Sequence, residues 1–233
     1  VKYGVCAVLS LLTACAPPPY AAPAPAVVVA FGDSVPAGNA CDCVPFPELY
    51  AQRRPGPARA LNLGMDGYTS ADLLDEVREA DLGDAVTVLI MVGANDAADA
   101  FPGAGAAGYA RIAARTEANV AEAVRAIHAA TGDGLPVFVI GYWNVVQDGD
   151  AAAYGPGEDE EAAVATEDVN RALAEAAAQT GATFVPTYPL FKGVDGRADP
   201  TGLLAEDGDH PNEAGHQVIA AAIPVPGTGP AQG

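Results

Sequence analysis

Apolar residues along this 233-residue chain gather into short unbroken runs, separated by longer stretches in which apolar and polar positions recur with helical spacing. Runs at 27–31 (VVVAF), 59–63 (RALNL), 85–92 (AVTVLIMV), 136–141 (PVFVIG) and 183–185 (TFV) have the length and content of buried strands. Between them, helical patterns cover 46–53, 70–80, 109–130 and 159–180, and a last one covers 212–223. Strands of continuous apolar character alternating with helices indicate a parallel sheet covered on both faces. The expected fold class is α/β: a three-layer α/β/α sandwich around a central, mostly parallel sheet of about five strands. No repeat with a period of about 20–50 residues is visible.

The ends read differently. Residues 1–15, VKYGVCAVLSLLTAC, carry one lysine and then an uncharged stretch that is too short to span a bilayer and suits a signal-peptide core. Leu12, Thr13, Ala14 and Cys15 resemble the lipobox of bacterial lipoproteins, which implies that Cys15 receives a diacylglycerol and becomes the new N-terminus. The alternative is an ordinary secretory signal cut near Ala14 or Ala22. Residues 16–26, APPPYAAPAPA, are denied helix and sheet hydrogen bonds by their prolines and form a spacer that reaches roughly 34 Å at about 3.1 Å per residue. The folded domain is expected over 27–223, and 224–233 is too rich in Pro and Gly to pack. The chain is thus expected to be exported and lipid-anchored at a bacterial cell envelope, or else secreted.

Charge narrows the partners. With 11 Lys and Arg against 30 Asp and Glu, the formal net charge is -19, which excludes a surface that tracks nucleic-acid phosphates. The acidic cluster Glu158, Asp159, Glu160 and Glu161 reads as a solvated helix start in preference to a binding feature for cations. A monomer is expected.

In open parallel sheets, ligands gather beyond the carboxyl ends of the strands. There the chain places GDS (32–34) after the first strand, NLGMDGYTS (62–70) after the second and GAND (93–96) after the third. A fourth block, DGDHPNEAGH (207–216), precedes the last helix. In order and approximate spacing these blocks resemble those of the SGNH hydrolases, also called GDSL lipases and esterases, over residues 27–222. The resemblance implies a flavodoxin-like α/β fold, ester hydrolysis, and roles for specific residues. Ser34 would be the nucleophile, His210 the base and Asp207 the triad acid. The backbone N–H of Ser34, the backbone N–H of Gly67 and the side-chain amide of Asn95 would bind the oxyanion. Gly67 is preferred to Gly64 because Tyr68, Thr69 and Ser70 follow it. It implies no metal and no organic cofactor.

Elementary chemistry runs parallel to the resemblance. A serine hydroxyl needs a neighbouring base, and histidine, with an ordinary pKa near 6.5, suits that task at neutral pH. A carboxylate three residues earlier can fix the imidazole's tautomer within one tight turn. An attacked ester carbonyl becomes an anion that requires fixed N–H donors. Asp33 and Asp96 read as loop-fixing acceptors, and Gly32 as the residue that permits a sharp exit from the strand. The rival reading of the whole is an SGNH-fold binding lipoprotein without catalysis.

Other signals carry less. GAGAAG (103–108) has the letters of a dinucleotide loop but no strand directly before it, and reads as a flap beside the site or as plain linker. Cys41 and Cys43 could pair with each other, pair with another chain or stay reduced; with no histidine close in sequence, a metal there is not expected. His128 and His216 read as packing or surface residues within helices. Trp143, between Tyr142 and Asn144 after the fourth strand, lines the substrate pocket or packs the core.

Overall fold

In the computed structural model, which describes residues 24–155 and 157–226, the apolar runs form five strands. β1 is Ala26–Gly32, β2 Ala58–Gly64, β3 Ala85–Met91, β4 Val137–Ile140 and β5 Thr183–Val185. They build one sheet in the order β2-β1-β3-β4-β5, and every neighbouring pair is parallel. β1 and β3, in the middle, are buried almost throughout, whereas β2 at one edge keeps mostly half-buried residues. This is why β1 and β3 read as pure apolar runs and β2 carries Arg59 and Asn62.

The helices are α1 (Ser34–Ala37), α2 (Phe46–Gln52), α3 (Ser70–Glu79), α4 (Ala94–Ala98), α5 (Gly105–Thr131), α6 (Glu158–Thr180), α7 (Tyr188–Lys192) and α8 (Glu213–Ala222). α3, α5 and α6 pack side by side as one layer. On the other face α2 packs on α8 and on β1 and β2, with the Tyr50 ring meeting the edge of Phe138 from β4. The three-layer α/β/α sandwich follows, as the alternation of elements implies.

The register positions the site. Gly32, the last residue of β1, pairs with Gly64 at the end of β2 and with Met91 at the end of β3. Three carboxyl ends therefore finish level. The chain also moves outward from β1 to β2 and then back across β1 to β3, so the order reverses at β1 and leaves a crevice at that rim.

Some expectations require correction. The helix expected to start at residue 109 starts at Gly105, so the last four residues of the glycine-rich stretch are the first turn of α5 and not a flap. Glu161 explains this: its Oε1 accepts the N–H of Gly103 at 2.7 Å and of Gly105 at 3.3 Å, and the Tyr109 hydroxyl at 3.0 Å. A carboxylate thus meets the positive end of a helix dipole, and the N–H of Gly103 in particular draws the Glu161 pKa below its ordinary value. The acidic cluster does start α6, but one member serves α5. Pro224, expected in a loose tail, is held by the Tyr50 hydroxyl at 3.1 Å. The signal segment with Cys15, most of the spacer, and residues 227–233 lie outside the described residues. No described helix is long and apolar enough to cross a membrane.

Candidate active site

The first block turns immediately after β1. Gly32 has φ +144°, and a Cβ there would stand 1.9 Å from the Met91 carbonyl oxygen, so the sharp exit needs glycine. Asp33 caps α1 by accepting the Val35 N–H at 3.0 Å, which sets Ser34 as the first residue of that helix. The Asp33 carboxyl is buried, and its other oxygen accepts the Tyr142 hydroxyl. Burial pushes its pKa up to about 7, opposed by the hydrogen bonds from Tyr142 and Val35; burial and the Asp33 charge push the Tyr142 hydroxyl well above its ordinary value. Asp33 is an acceptor, as its place in the sequence suggests.

The second and third blocks are tied together. Ser70 donates its N–H and hydroxyl to Asp96 at 2.8 and 2.6 Å, and Asn95 Nδ2 donates to the Tyr68 carbonyl at 2.9 Å. That leaves Asn95 a second amide proton. Gly64 is crowded against α1, where a Cβ would come within 2.6 Å of Ala37 N, and its own N–H is taken by Asn62 Oδ1 at 3.2 Å. Gly67 has φ +76° with open space around it, and its N–H has no partner among the described residues.

The fourth block is one tight turn. Asp207 Oδ1 accepts the N–H of Asp209 at 3.0 Å and of His210 at 3.1 Å, while Oδ2 lies 2.7 Å from His210 Nδ1. Burial raises the Asp207 pKa, but those N–H groups and the imidazole outweigh it, and the net shift is downward. Neighbouring backbone holds the turn from outside, with Asp148 N–H donating to Gly208 O at 2.8 Å and Ala205 N–H to His210 O at 2.8 Å. Asn212 caps α8 through the Gly215 N–H, which places Pro211 before the helix and not in its first turn.

A cavity of about 380 Å³ opens at the rim. Ser34, Asn95, His210, Tyr142, Trp143 and Asp209 are among its lining residues; Asp207 stands behind His210, and Gly67 is outside the lining. No hydrogen bond joins Ser34 Oγ to His210 among the described residues. Trp143 lines the cavity and stacks on Phe191 at 4.3 Å, with its Nε1 unpartnered among the described residues. Asp209 is the residue that the sequence reading passed over. It stands exposed at the mouth beside His210, its carboxyl raised by desolvation against the site wall and by the charges of Asp207 and Asp66, with His210 opposing. The signal was present in DGDH, between Asp207 and His210.

Cys41 and Cys43 are joined in a disulfide. His216 is buried and accepts the Phe46 N–H at Nδ1 (3.2 Å), and burial brings its pKa down to about 4. These three residues form the one His, Cys, Asp or Glu grouping among the described residues close enough to hold a metal, and none of them lines the cavity. His216, far from the cysteines in sequence, is thus close to them in space. His128 is half-buried near the end of α5.

A model of the GDSL-like Lipase/Acylhydrolase family matches residues 30–218. A comparison with curated proteins finds no match. Among solved structures, a lipase from a goat rumen metagenome is 16% identical with a TM-score of 0.67, the alignment covering 84% of this chain and 94% of that one. An acetylxylan esterase from Geobacillus stearothermophilus is 20% identical with a TM-score of 0.58, covering 84% and 91%. An alpha/beta hydrolase from the metagenome of Lake Arreo, Spain, is 20% identical with a TM-score of 0.56, covering 84% and 92%. At these identities the likeness establishes the fold.

Proposed function

The chain belongs to the GDSL-like lipase/acylhydrolase family, and from that premise we propose that it is a serine ester hydrolase working through an acyl-enzyme. Ser34 Oγ attacks the ester carbonyl while His210 takes its proton, and Asp207 keeps the imidazole oriented and stabilises the imidazolium. The oxyanion is received by the N–H of Ser34, the N–H of Gly67 and the second amide proton of Asn95. His210 then returns the proton to the departing alcohol. A water, deprotonated by the same imidazole, cleaves the acyl-serine bond and releases the acid.

The observation that carries this reading is the cavity shared by Ser34 and His210, with Asp207 2.7 Å behind the imidazole. The missing contact between Ser34 and His210 is consistent with it, because catalytic hydrogen bonds often tighten only when substrate is bound. Polar side chains on the cavity wall, Asn95, Asn144, Gln147 and Asp209 among them, favour a short acyl group on a polar alcohol, such as an acetylated glycan, over a long-chain lipid ester. A serine-directed phosphonate is expected to leave one adduct on the wild type, at Ser34, and none on Ser34→Ala. An unlabelled wild type would favour the alternative, a binding lipoprotein of the same fold. We also read Cys15 as the lipid attachment point, with labelled fatty acid expected in the wild type; equal incorporation into Cys15→Ser would refute it.

A further inference from the structure

The Cys41–Cys43 disulfide lies in the loop between α1 and α2, where both residues are partly open to solvent. Beside it is the buried imidazole of His216: a ring nitrogen and the two sulfurs lie within 4.8 Å of one another. Because Nδ1 accepts the Phe46 N–H, the proton of the neutral ring sits on Nε2, and Nε2 is buried without a partner among the described residues. A buried donor without an acceptor is costly. Disulfide sulfur is a weak acceptor, whereas a thiolate, being ionised, is a strong one. The protein thus carries an N–H that is idle in the oxidised form, on a ring whose neighbouring sulfurs would be stronger acceptors as a thiolate than as a disulfide. The same trio has the donor types of a thiophilic metal site. There, however, a ring nitrogen would have to offer a lone pair, and the Phe46 N–H already uses the one that the neutral ring has.

We propose that Cys41 and Cys43 form a thiol–disulfide exchange site whose reduced state is stabilised by His216. A dithiol reductant attacks one Sγ, the Cys41–Cys43 bond breaks, and two electrons pass to the cysteine sulfurs as the reductant leaves as its own disulfide. One sulfur keeps a proton, the other remains a thiolate that accepts the Nε2–H after a small adjustment of the loop, and the second proton goes to solvent. The site bridges the two carriers of the proposed catalytic pair: its loop leaves the helix that begins at Ser34, and α8 follows His210.

The test does not depend on esterase activity. The full chain is equilibrated with mixtures of reduced and oxidised dithiothreitol, alkylated, and the peptide carrying residues 41–43 is resolved by mass spectrometry, which keeps Cys6 and Cys15 apart. His216→Phe is expected to shift the equilibrium about tenfold toward the disulfide, and His216→Gln, which restores a donor and an acceptor, to return it to within about threefold of wild type. An unchanged equilibrium in His216→Phe overturns the proposal. Should that variant not fold, the reduced wild type decides. One of its two cysteines is expected to react with iodoacetamide at pH 7 about fivefold faster than a free peptide of residues 38–46. Equal rates overturn the proposal.

Discussion

The two halves of the candidate site are held by different means. The serine half, with Ser34 and Asn95, is fixed by the sheet: β1, β2 and β3 end in register, Gly32 meets Met91, and the second and third blocks are cross-linked through Ser70–Asp96 and Tyr68–Asn95. The histidine half is a single turn, organised by its own Asp207. It is propped from outside by Asp148, whose carboxylate is paired with Lys192 at 2.6 Å in a mostly buried ion pair. Strands supply position to the proposed nucleophile and side-chain donor, whereas the proposed base depends on loop contacts. In α/β folds, precision is best where the backbone is paired, and the part that adjusts on binding is the part that hangs from loops.

Three measurements would break or sharpen this contrast. The largest effect is expected from Asn95→Ala, which deletes both the tie to Tyr68 and the proposed oxyanion donor, with kcat falling about 10²–10³-fold. A loss of only a few-fold would show that the sheet-held half does not act as one donor array. Lys192→Met leaves the cavity wall intact but removes the support of Asp148, and about a tenfold loss in kcat is expected because the carboxylate left without its cation is mostly buried. If activity is unchanged, the outside prop does not position His210.

The smallest effect is a pH slope in stability, set by two buried titrating groups, Asp33 beside Ser34 and His216 on α8, the helix that follows the histidine turn. Asp33 has a folded pKa of about 7, above its ordinary 3.8, so its stabilising contribution is complete below that value and is lost as pH rises toward 7. His216, lowered from 6.5 to about 4, acts the other way: its contribution is present above 6.5 and is lost as pH falls toward 4. Between these limits the two slopes oppose each other. Asp33→Asn should therefore expose a stability that declines on acidification from pH 6.5 to 4, by up to about 1.4 kcal/mol per pH unit, in urea titrations. A slope unchanged from wild type would count against the burial of one of the pair.

Much of this was legible in the sequence because it rests on local pattern. Unbroken apolar runs marked the strands, and the spacing of GDS, GAND and DGDH marked the rim. What escaped depends on partners far away in the chain. The start of α5 at Gly105 depends on Glu161, and no local rule predicts a helix through GAGAAG. α1, α4 and α7, of four or five residues each, are too short to show a period. Asp33 and Tyr142 are 109 positions apart, and their pairing follows only once β1 and β4 share a sheet. His216 reached the cysteines the same way, through the packing of α8 on α2.

The level strand ends have a consequence for engineering. Since Ser34 and Asn95 are referenced to one row of paired backbone, the wall positions Asn144, Gln147 and Tyr154, between β4 and α6, can be varied as long as Tyr142 and Asp148, which hold Asp33 and the His210 turn, are kept. Changes at those three positions would reshape the cavity wall and leave Ser34 and Asn95 where the sheet puts them.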